Sequence, residues 1–496
     1  MTKQVIISGV SITDWIQAIK QLSDSIEPCY WICRGEIKNK VEERFPNCIT
    51  HQSIDCIQGR PVKEYDTDEP FYHPLDKDIL EDHLFNESIA LKMMDRLDTG
   101  NVTNSNFTYG GRIRHFHRMV TYWEMVLDDL SPDLAIFGST PHLVSDYILY
   151  SCCKSRGIDT LIYSSVSLPD LFYVRECIDG PPVLSSGTIK NSGGISDKND
   201  RYINSLRKEY EEAIPEYMTE SQSNSSIIPS LEGLTKISKS VIQNAITACE
   251  PFPTAYVKEH NNQIEDSRLT KYQWYFYRLK AWIYRRKLYK HYRRYTIDPD
   301  ISTKYIYFPL HYQPERTTSP EGGLYVHQYL AVNLLSQTLP KTTIYVKEHP
   351  SQFSKRIKGE QGRRPYFYQD MSNIHNVELV PLKTPVFDLV DNSCAVATVT
   401  GTTGWEALVR GTPALVFGNA WYRNSPGCYH IKSQSDLIEA IEKINSSSRS
   451  GPTIESIKRF ASKMEEICYQ GYIKPYEGDN TQENSSVLAN SIIDNY

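Results

Sequence analysis

Three short stretches of the sequence place reactive side chains directly after apolar runs of strand length. "KYIYFPL" leads into His311, Tyr312, Gln313, Pro314 and Glu315; "TTIYVKE" leads into His349 and Pro350; "CAVATVT" leads into Gly401, Thr402, Thr403, Gly404, Trp405 and Glu406. An imidazole donates a hydrogen bond to a phosphate or sugar oxygen, and a carboxylate accepts from sugar hydroxyls or takes a proton. A glycine-rich turn that opens a helix offers free amides to an anion. Pro314 restricts its neighbours, so Gln313 and Glu315 are held in an arrangement suited to orienting a hydroxyl. In an open parallel sheet, ligands bind outside the carboxyl ends of the strands, where these residues would gather.

Each group also has a plainer role. Thr403 and Glu406, three apart, match a capping box, and a carboxylate in the first helical turn favours the helix while repelling phosphate. The ligand role of Glu406 therefore points to sugar or ribose hydroxyls. His349 before Pro350 reads equally as a capped chain end, and Glu315 sits among turn formers that also carry Glu321. In "FGNAWYRNSPGCY", Trp421 and Tyr422 stack on a base or sugar and Arg423 meets a phosphate, or the loop packs between domains. His142, just after the apolar run "LAIFGST", is the nearest acceptor-side group, and a local cap is its other reading. Asp133 precedes that run and so falls at the wrong edge. Residue types alone leave these pairs of roles open.

The elements that would position these groups follow from periodicity. "VIISGV", "LAIFGST" and "DTLIYSS", with the helical pattern of "RIRHFHRMVTYWEMVLDDL" nearby, suggest parallel α/β construction. The pattern weakens between 178 and 265, where "SGTIKNSGGISDKND" and "TESQSNSSIIPS" read as loop. From Lys304 onward five apolar runs alternate with helix-like segments, the clearest fold signal in the chain. The expected units are 1–200, an N-terminal Rossmann-like domain; 201–298, a helical linker or insertion; 299–475, a C-terminal Rossmann-like domain; and 476–496, a polar tail able to form a docked helix.

Length supports more than one core: 496 residues exceed what a single core usually sustains. A net charge of -6 argues against a generally nucleic-acid-binding surface. The 11 cysteines are scattered without ligand spacing and read as reduced thiols of a cytosolic protein. No run reaches the length of a membrane span, so contact with a membrane would be peripheral, at its inner face. No Asp-x-Asp stands at a strand end: "DTDEP" is a polar loop, and Asp298 and Asp300 precede their strand, so no metal ligand is expected.

One segment departs from the rest. Arg268 to Arg294 holds 10 Arg or Lys, nine aromatic residues and no acid. Trp274, Arg278, Trp282, Arg285 and Arg286 suit contact with anionic lipid or a polyanionic glycan. A buried interdomain helix with solvated cations is the structural alternative, and single-stranded nucleic acid the less favoured one.

The motifs "FPLHYQPE", "VKEHP" and "TGTTGWEALVRGTPALVFGNAWY" resemble the bacterial capsule polysaccharide biosynthesis family, which includes transferases of 3-deoxy-manno-octulosonic acid (Kdo). The likeness runs from about 300 to 430. His349 and Pro350 match the family's His-Pro pair; Gly401, Thr402, Gly404, Glu406 and Ala407 lie on its small-residue and Glu-Ala stretch, with threonines in place of the common serines. Gly411, Pro413, Gly418 and Tyr422 continue it, while the loop after Tyr422 departs from the family's glycine-rich ending. The resemblance implies a GT-B-like α/β fold, with two facing Rossmann-like domains and a helical, partly polar insertion, and it alone gives 1–200 the acceptor-side role and 299–475 the nucleotide-sugar role. It also implies an inverting, metal-independent glycosyltransferase, with a nucleotide sugar such as CMP-Kdo as co-substrate, no tightly bound cofactor, and a lipid-linked or oligosaccharide acceptor. A nucleotide-sugar 2-epimerase-like enzyme and a catalytically inactive glycan-binding or assembly protein remain the alternatives.

Overall fold

The computed structural model describes residues 2–65, 75, 77–98, 107–182, 194–208, 257–260, 263–266, 271–315, 317–354, 359–446, 451–474 and 481–496. The "DTDEP" and "TESQSNSSIIPS" stretches and residues 186–193 lie outside them, and the end of "SGTIKNSGGISDKND", expected as loop, instead opens the helix Asp197–Ser205 behind a Ser196 cap.

Runs of β-branched and aromatic residues with no polar alternation demand cover on both faces, as central strands of α/β sheets do. Runs of this kind make up most of the first sheet, β1 (Lys3–Ser8), β2 (Ile26–Cys33), β3 (Ile49–Gln52), β4 (Leu134–Phe137), β5 (Asp159–Ser165) and β6 (Leu171–Arg175), with the edge strand β3, ITHQ, the polar exception. Strands β3-β2-β1-β4-β5 run parallel in that order, and β6 joins antiparallel. Trp123, Phe116 and Ile148 fill one face, and Trp15, Trp31 and Leu488 the other.

A hairpin of β7 (Val257–His260) and β8 (Gln263–Asp266) precedes the second sheet. That sheet holds β9 (Tyr305–Pro309), β10 (Thr343–Lys347), β11 (Val377–Leu379), β12 (Ala395–Thr398), β13 (Ala414–Val416) and β14 (Cys428–His430), all parallel in the order β11-β10-β9-β12-β13-β14. Both sheets thus reverse strand order beside their first strand, at β1/β4 and at β9/β12, the switch points where doubly wound sheets bind ligands.

The chain does not stay in the second unit to 475. At β15 (Tyr469–Gln470) it crosses back to pair antiparallel with β6, and the helix Thr481–Asn495 packs on the helix Asp14–Gln21. Asn484 Nδ2 donates to the buried Asp14 carboxylate at 2.8 Å. The polar-looking tail is therefore part of the first unit's core, because its apolar residues Leu488, Ala489 and Ile492 share one face.

The basic aromatic segment is the helix Lys271–Arg294. Tyr277, Ala281, Arg285, Leu288 and Tyr292 make its buried stripe at helical spacing, and Leu288 and Tyr292 join the second unit's core. Arg285 is not a surface contact: its guanidinium donates to Glu360 Oε2 at 2.7 Å, and the Tyr277 hydroxyl donates to Glu360 Oε1 at 2.9 Å. Burying that cation is tolerable only because it is paired. Arg278 and Arg286 are exposed, the latter 5.0 Å over the half-buried Trp282 ring. The Trp274 side chain lies outside those described. Among the described residues no helix is long and apolar enough to cross a membrane. The described cysteines are all free, most of them buried.

The two units share a core. Leu171, Tyr173 and Ile203 of the first pack with Trp405, Val416 and Ile457 of the second. Beside this seam, Arg175, only 1% exposed, donates to Glu321 Oε1 at 2.6 Å and to Thr140 Oγ1 at 3.0 Å, and Thr140 donates to the same carboxylate oxygen at 2.8 Å.

Candidate functional site

At the second switch point, β9 ends and the chain turns through His311. The Thr400 amide donates to His311 Nε2 at 3.2 Å, which leaves the ring proton on Nδ1 to donate to Glu315 Oε2 at 2.7 Å. Thr398 Oγ1 lies 3.2 Å from the same Nε2 and accepts from the Gly401 amide. The end of β9 is thereby tied to the turn after β12. Gly401 is required there, since a Cβ would lie 2.7 Å from Thr398 Oγ1 and 3.2 Å from His311 Nε2. Burial alone would raise the Glu315 carboxyl, but His311, which donates to it, outweighs burial and holds its pKa below the ordinary value. Glu315 is ionised and partly open at the strand ends.

After β10, Glu348 turns inward to accept from Arg363 Nε at 2.9 Å and Tyr368 Oη at 2.8 Å, and Lys347 donates to the Thr384 carbonyl. These two charges are structural. His349 stays at the edge with Tyr312 against its ring at 5.3 Å. Its Nδ1 accepts from the Ser351 amide at 3.1 Å, capping the short turn Pro350–Phe353, so the ring proton sits on Nε2. Nε2 has no hydrogen-bond partner among the described residues. Burial pushes the His349 pKa below its ordinary value against the opposing pull of Glu315 and Glu348, which keeps the imidazole a neutral donor. The reading of this residue as a capped chain end holds, and the cap leaves an N–H on Nε2.

The helix Thr402–Arg410 begins at the N-cap Gly401 with no side-chain cap. The capping box expected from Thr403 and Glu406 does not form, because the helix starts two residues early and Glu406 falls in its second turn. The Gly404 amide donates to the Gly401 carbonyl at 3.1 Å, while the Thr402 and Thr403 amides, at the start of the helix with Thr402 exposed, are the opening left for an anion. Glu406 is half-buried and makes no hydrogen bond among the described residues; burial, opposed by Arg410, pushes its pKa up to about 7. Trp405 is fully buried 4.8 Å from Trp421, which in turn stacks on Phe460 at 6.3 Å.

Four expected ligand contacts are reassigned by this geometry. Trp421 is interdomain packing. Tyr422, fully buried, donates its hydroxyl to the Gly401 carbonyl, and a Cβ on Gly404 would lie 2.2 Å from that hydroxyl. Arg423 donates to the Asp179 and Gly180 carbonyls across the seam, at 3.0 and 3.3 Å, rather than facing a phosphate. Gln313 is buried, with its amide on Gln352 Oε1 at 2.7 Å and its side chain on Thr318 Oγ1 at 2.7 Å. Tyr422→Phe is expected to cost about 1–2 kcal/mol by removing this donor from the Gly401 carbonyl; thermal unfolding reads it, and an unchanged Tm would show the bond to be worthless.

In the first unit, His142 lies past β4 with Nδ1 donating to the Thr140 carbonyl at 2.8 Å, beside the Glu321 seam. Asp133 accepts from the Gln4 amide at 2.8 Å, at the entering end of β1, away from the site. The sequence reading missed Thr140, Arg175 and Thr398 as partners of the site. Arg175, a cation closing the apolar run "LFYVR", was a visible signal. A polar cavity of about 270 Å³ lined by Arg207, Asp391 and Arg410 lies at the far end of the Thr402–Arg410 helix, where Arg410 is already paired with Asp391.

Two Rossmann-like sheets, with polar strand ends converging beside a shared seam, define a GT-B-like α/β protein. Residues 235–430, less than half of the chain, match the model of a family described as capsule polysaccharide biosynthesis protein. The resemblance read from the motifs holds over that stretch, and it reaches further toward the N-terminus than the motifs did, taking in the basic aromatic helix. No curated protein matches the chain. Among solved structures, it is similar to the UDP-GlcNAc 2-epimerase from Methanocaldococcus jannaschii (12% identity, 94% of this chain and 99% of that one, TM-score 0.24). It is also similar to two Thermosulfurimonas dismutans KpsC structures, a beta Kdo 2,7 transferase (10%, 74% and 88%, 0.28) and a beta Kdo 2,4 transferase (11%, 67% and 87%, 0.24). At these values the likeness bears on neither activity nor ligand.

Proposed function

We propose that the protein is a glycosyltransferase that moves a sugar from a nucleotide-activated donor, CMP-Kdo or another CMP-linked acidic sugar, to a growing capsular or surface polysaccharide. The match of residues 235–430 to the capsule family carries this reading, because that stretch holds every strand-end group of the second switch point. The first amides of the Thr402–Arg410 helix and His349 Nε2–H bind the donor phosphate, and Glu406 accepts from ribose or sugar hydroxyls. An acceptor hydroxyl attacks the anomeric carbon from the face opposite the nucleotide, with inversion. The bond to the phosphate oxygen breaks, the nucleotide leaves with the electron pair, and Glu315 or His142 takes the hydroxyl proton. Helix amides and His349 neutralise the leaving phosphate, so the step calls for no metal. The exposed cations of the Lys271–Arg294 helix hold an anionic glycan or the inner face of the cytoplasmic membrane.

The test pairs nucleotide binding with transfer. Calorimetry with CMP, UDP and GDP should select one nucleotide, and Glu406→Gln should weaken it. The same substitution has a signed effect on stability. The Glu406 pKa lies above its unfolded value, so ionising it opposes the fold: stability is full below about pH 4 and is lost as pH rises through about 7. Glu406→Gln should therefore raise Tm at pH 8 and leave it unchanged at pH 4. A variant that binds nucleotide like the parent sinks the assignment of Glu406. Interconversion of UDP-GlcNAc without an acceptor would mark an epimerase, and binding without turnover an assembly protein.

A further inference from the structure

We propose that His83, Glu124 and Cys152, buried between three helices of the first unit, form a binding site for a divalent transition metal, with Zn2+ the best fit. The residues come from the helices Lys77–Met93, Tyr109–Leu130 and Val144–Ser155, and one ligand atom of each lies within 4.8 Å of the others. All three are buried, at 1%, 3% and 0% exposure. Imidazole, carboxylate and thiolate together are a zinc donor set, and none of the three residues is among those assigned to sugar transfer.

Two further observations point to a ligand. Glu124 Oε1 is buried without a hydrogen-bond partner, although Glu124 Oε2 receives Arg156 Nε at 2.9 Å and a second Arg156 nitrogen at 2.6 Å. One oxygen is thus held in place by a guanidinium and the other left open. His83 is oriented in the same way: Nδ1 lies 2.6 Å from Ser151 Oγ, and with the proton on Nδ1 the Nε2 lone pair faces Cys152 Sγ at 3.9 Å. A ring nitrogen fixed by an outer hydrogen bond while its other nitrogen is free is the arrangement metal-binding histidines adopt. With Zn–N near 2.0 Å and Zn–S near 2.3 Å, a tetrahedral ion separates N from S by about 3.6 Å. For this pair, closing the remaining gap takes a few tenths of an ångström, while the Glu124 oxygen, within 4.8 Å of both, has up to about 1 Å to move.

Charge balance also fits. Binding converts the Cys152 thiol to a thiolate, and its proton leaves to solvent. Two positive charges on the metal then meet the Cys152 and Glu124 anions, while Arg156 is offset by Asp128 at 2.6 Å. The cluster is neutral overall, as a buried site requires. The metal would tie together three helices that cover one face of the first sheet, a structural role rather than a catalytic one.

The full-length protein, produced in zinc-supplemented medium and freed of loose metal by gel filtration, is expected to retain about one zinc per chain. Chelator-stripped protein titrated with Co2+ should develop a thiolate-to-cobalt charge-transfer band and release about one proton per ion bound. Cys152→Ser should abolish the band, the neighbouring Cys153→Ser should keep it, and Ser151→Ala should weaken binding about 10- to 100-fold. Circular dichroism establishes that each variant is folded. A folded parent that holds no zinc and gives no band overturns the proposal, as does a band that survives Cys152→Ser.

Discussion

His349→Ala is expected to lower transfer about 100- to 1,000-fold, the usual loss when one donor to a developing negative charge is removed. The side chain is well placed for that part. Its Nδ1 is committed to the Ser351 amide, so Nε2 carries the proton and faces outward from the edge of the second sheet. Because the residue also caps the Pro350–Phe353 turn, Ala removes two things at once. Asn separates them: its side-chain oxygen takes over the cap, as asparagine does at helix starts, but its amide is too short to reach where Nε2 stood. His349→Asn should keep the parental Tm and still lose most of the transfer. The pH dependence gives a second readout. Burial lowers the His349 pKa, so the neutral ring that donates through Nε2 prevails at and above neutrality. Raising the pH through 6 to 8 should not erode transfer through this residue. A loss of rate over that range that disappears in His349→Asn would show the imidazolium to be the active form and overturn the assignment.

The second sheet was legible because its strands are apolar throughout and its helices fall between them, so period and composition agreed. His349 and the glycine turn were legible for the same reason: strand ends in such a sheet point to one edge. Tyr422, Trp421, Arg423 and Gln313 were not, because a residue type that suits a ligand also suits packing within a unit or across its seam, and only the partner decides. The partner of Tyr422 is the carbonyl of Gly401, and those of Arg423 are carbonyls near residue 180. Contacts over such separations leave no local pattern. Arg285 shows the same limit in reverse. Its composition suggested a surface, yet the carboxylate that buries it stands 75 residues further along. The returning C-terminal segment was obscured by its polarity, since only one face of its helix carries apolar residues.

Glu321→Ala is expected to cost about 3–5 kcal/mol of stability, because it strands a buried cation. Arg175 is 1% exposed, and the ion pair it makes with Glu321 at 2.6 Å spans the two units. Replacing both partners with apolar residues removes the charge along with its partner, so Arg175→Met with Glu321→Leu should recover most of that loss, to within about 1 kcal/mol of the parent. Function should not recover with it. Glu321 also accepts from Thr140, two residues before His142, and its own backbone carbonyl accepts from Asn419 at 2.9 Å in the loop after β13. Glu321 therefore sets the segment after β4 of the first sheet against the loop after β13 of the second. On the proposed function, which gives nucleotide binding to the second unit and transfer to both, a folded double variant with looser registration should keep nucleotide binding while losing transfer. Calorimetry and a transfer assay on the same preparation separate the two. Equal stability of Glu321→Ala and the parent would show that water, not the seam, already satisfies Arg175. A stable double variant with full transfer would show that the pair holds the units together without positioning them.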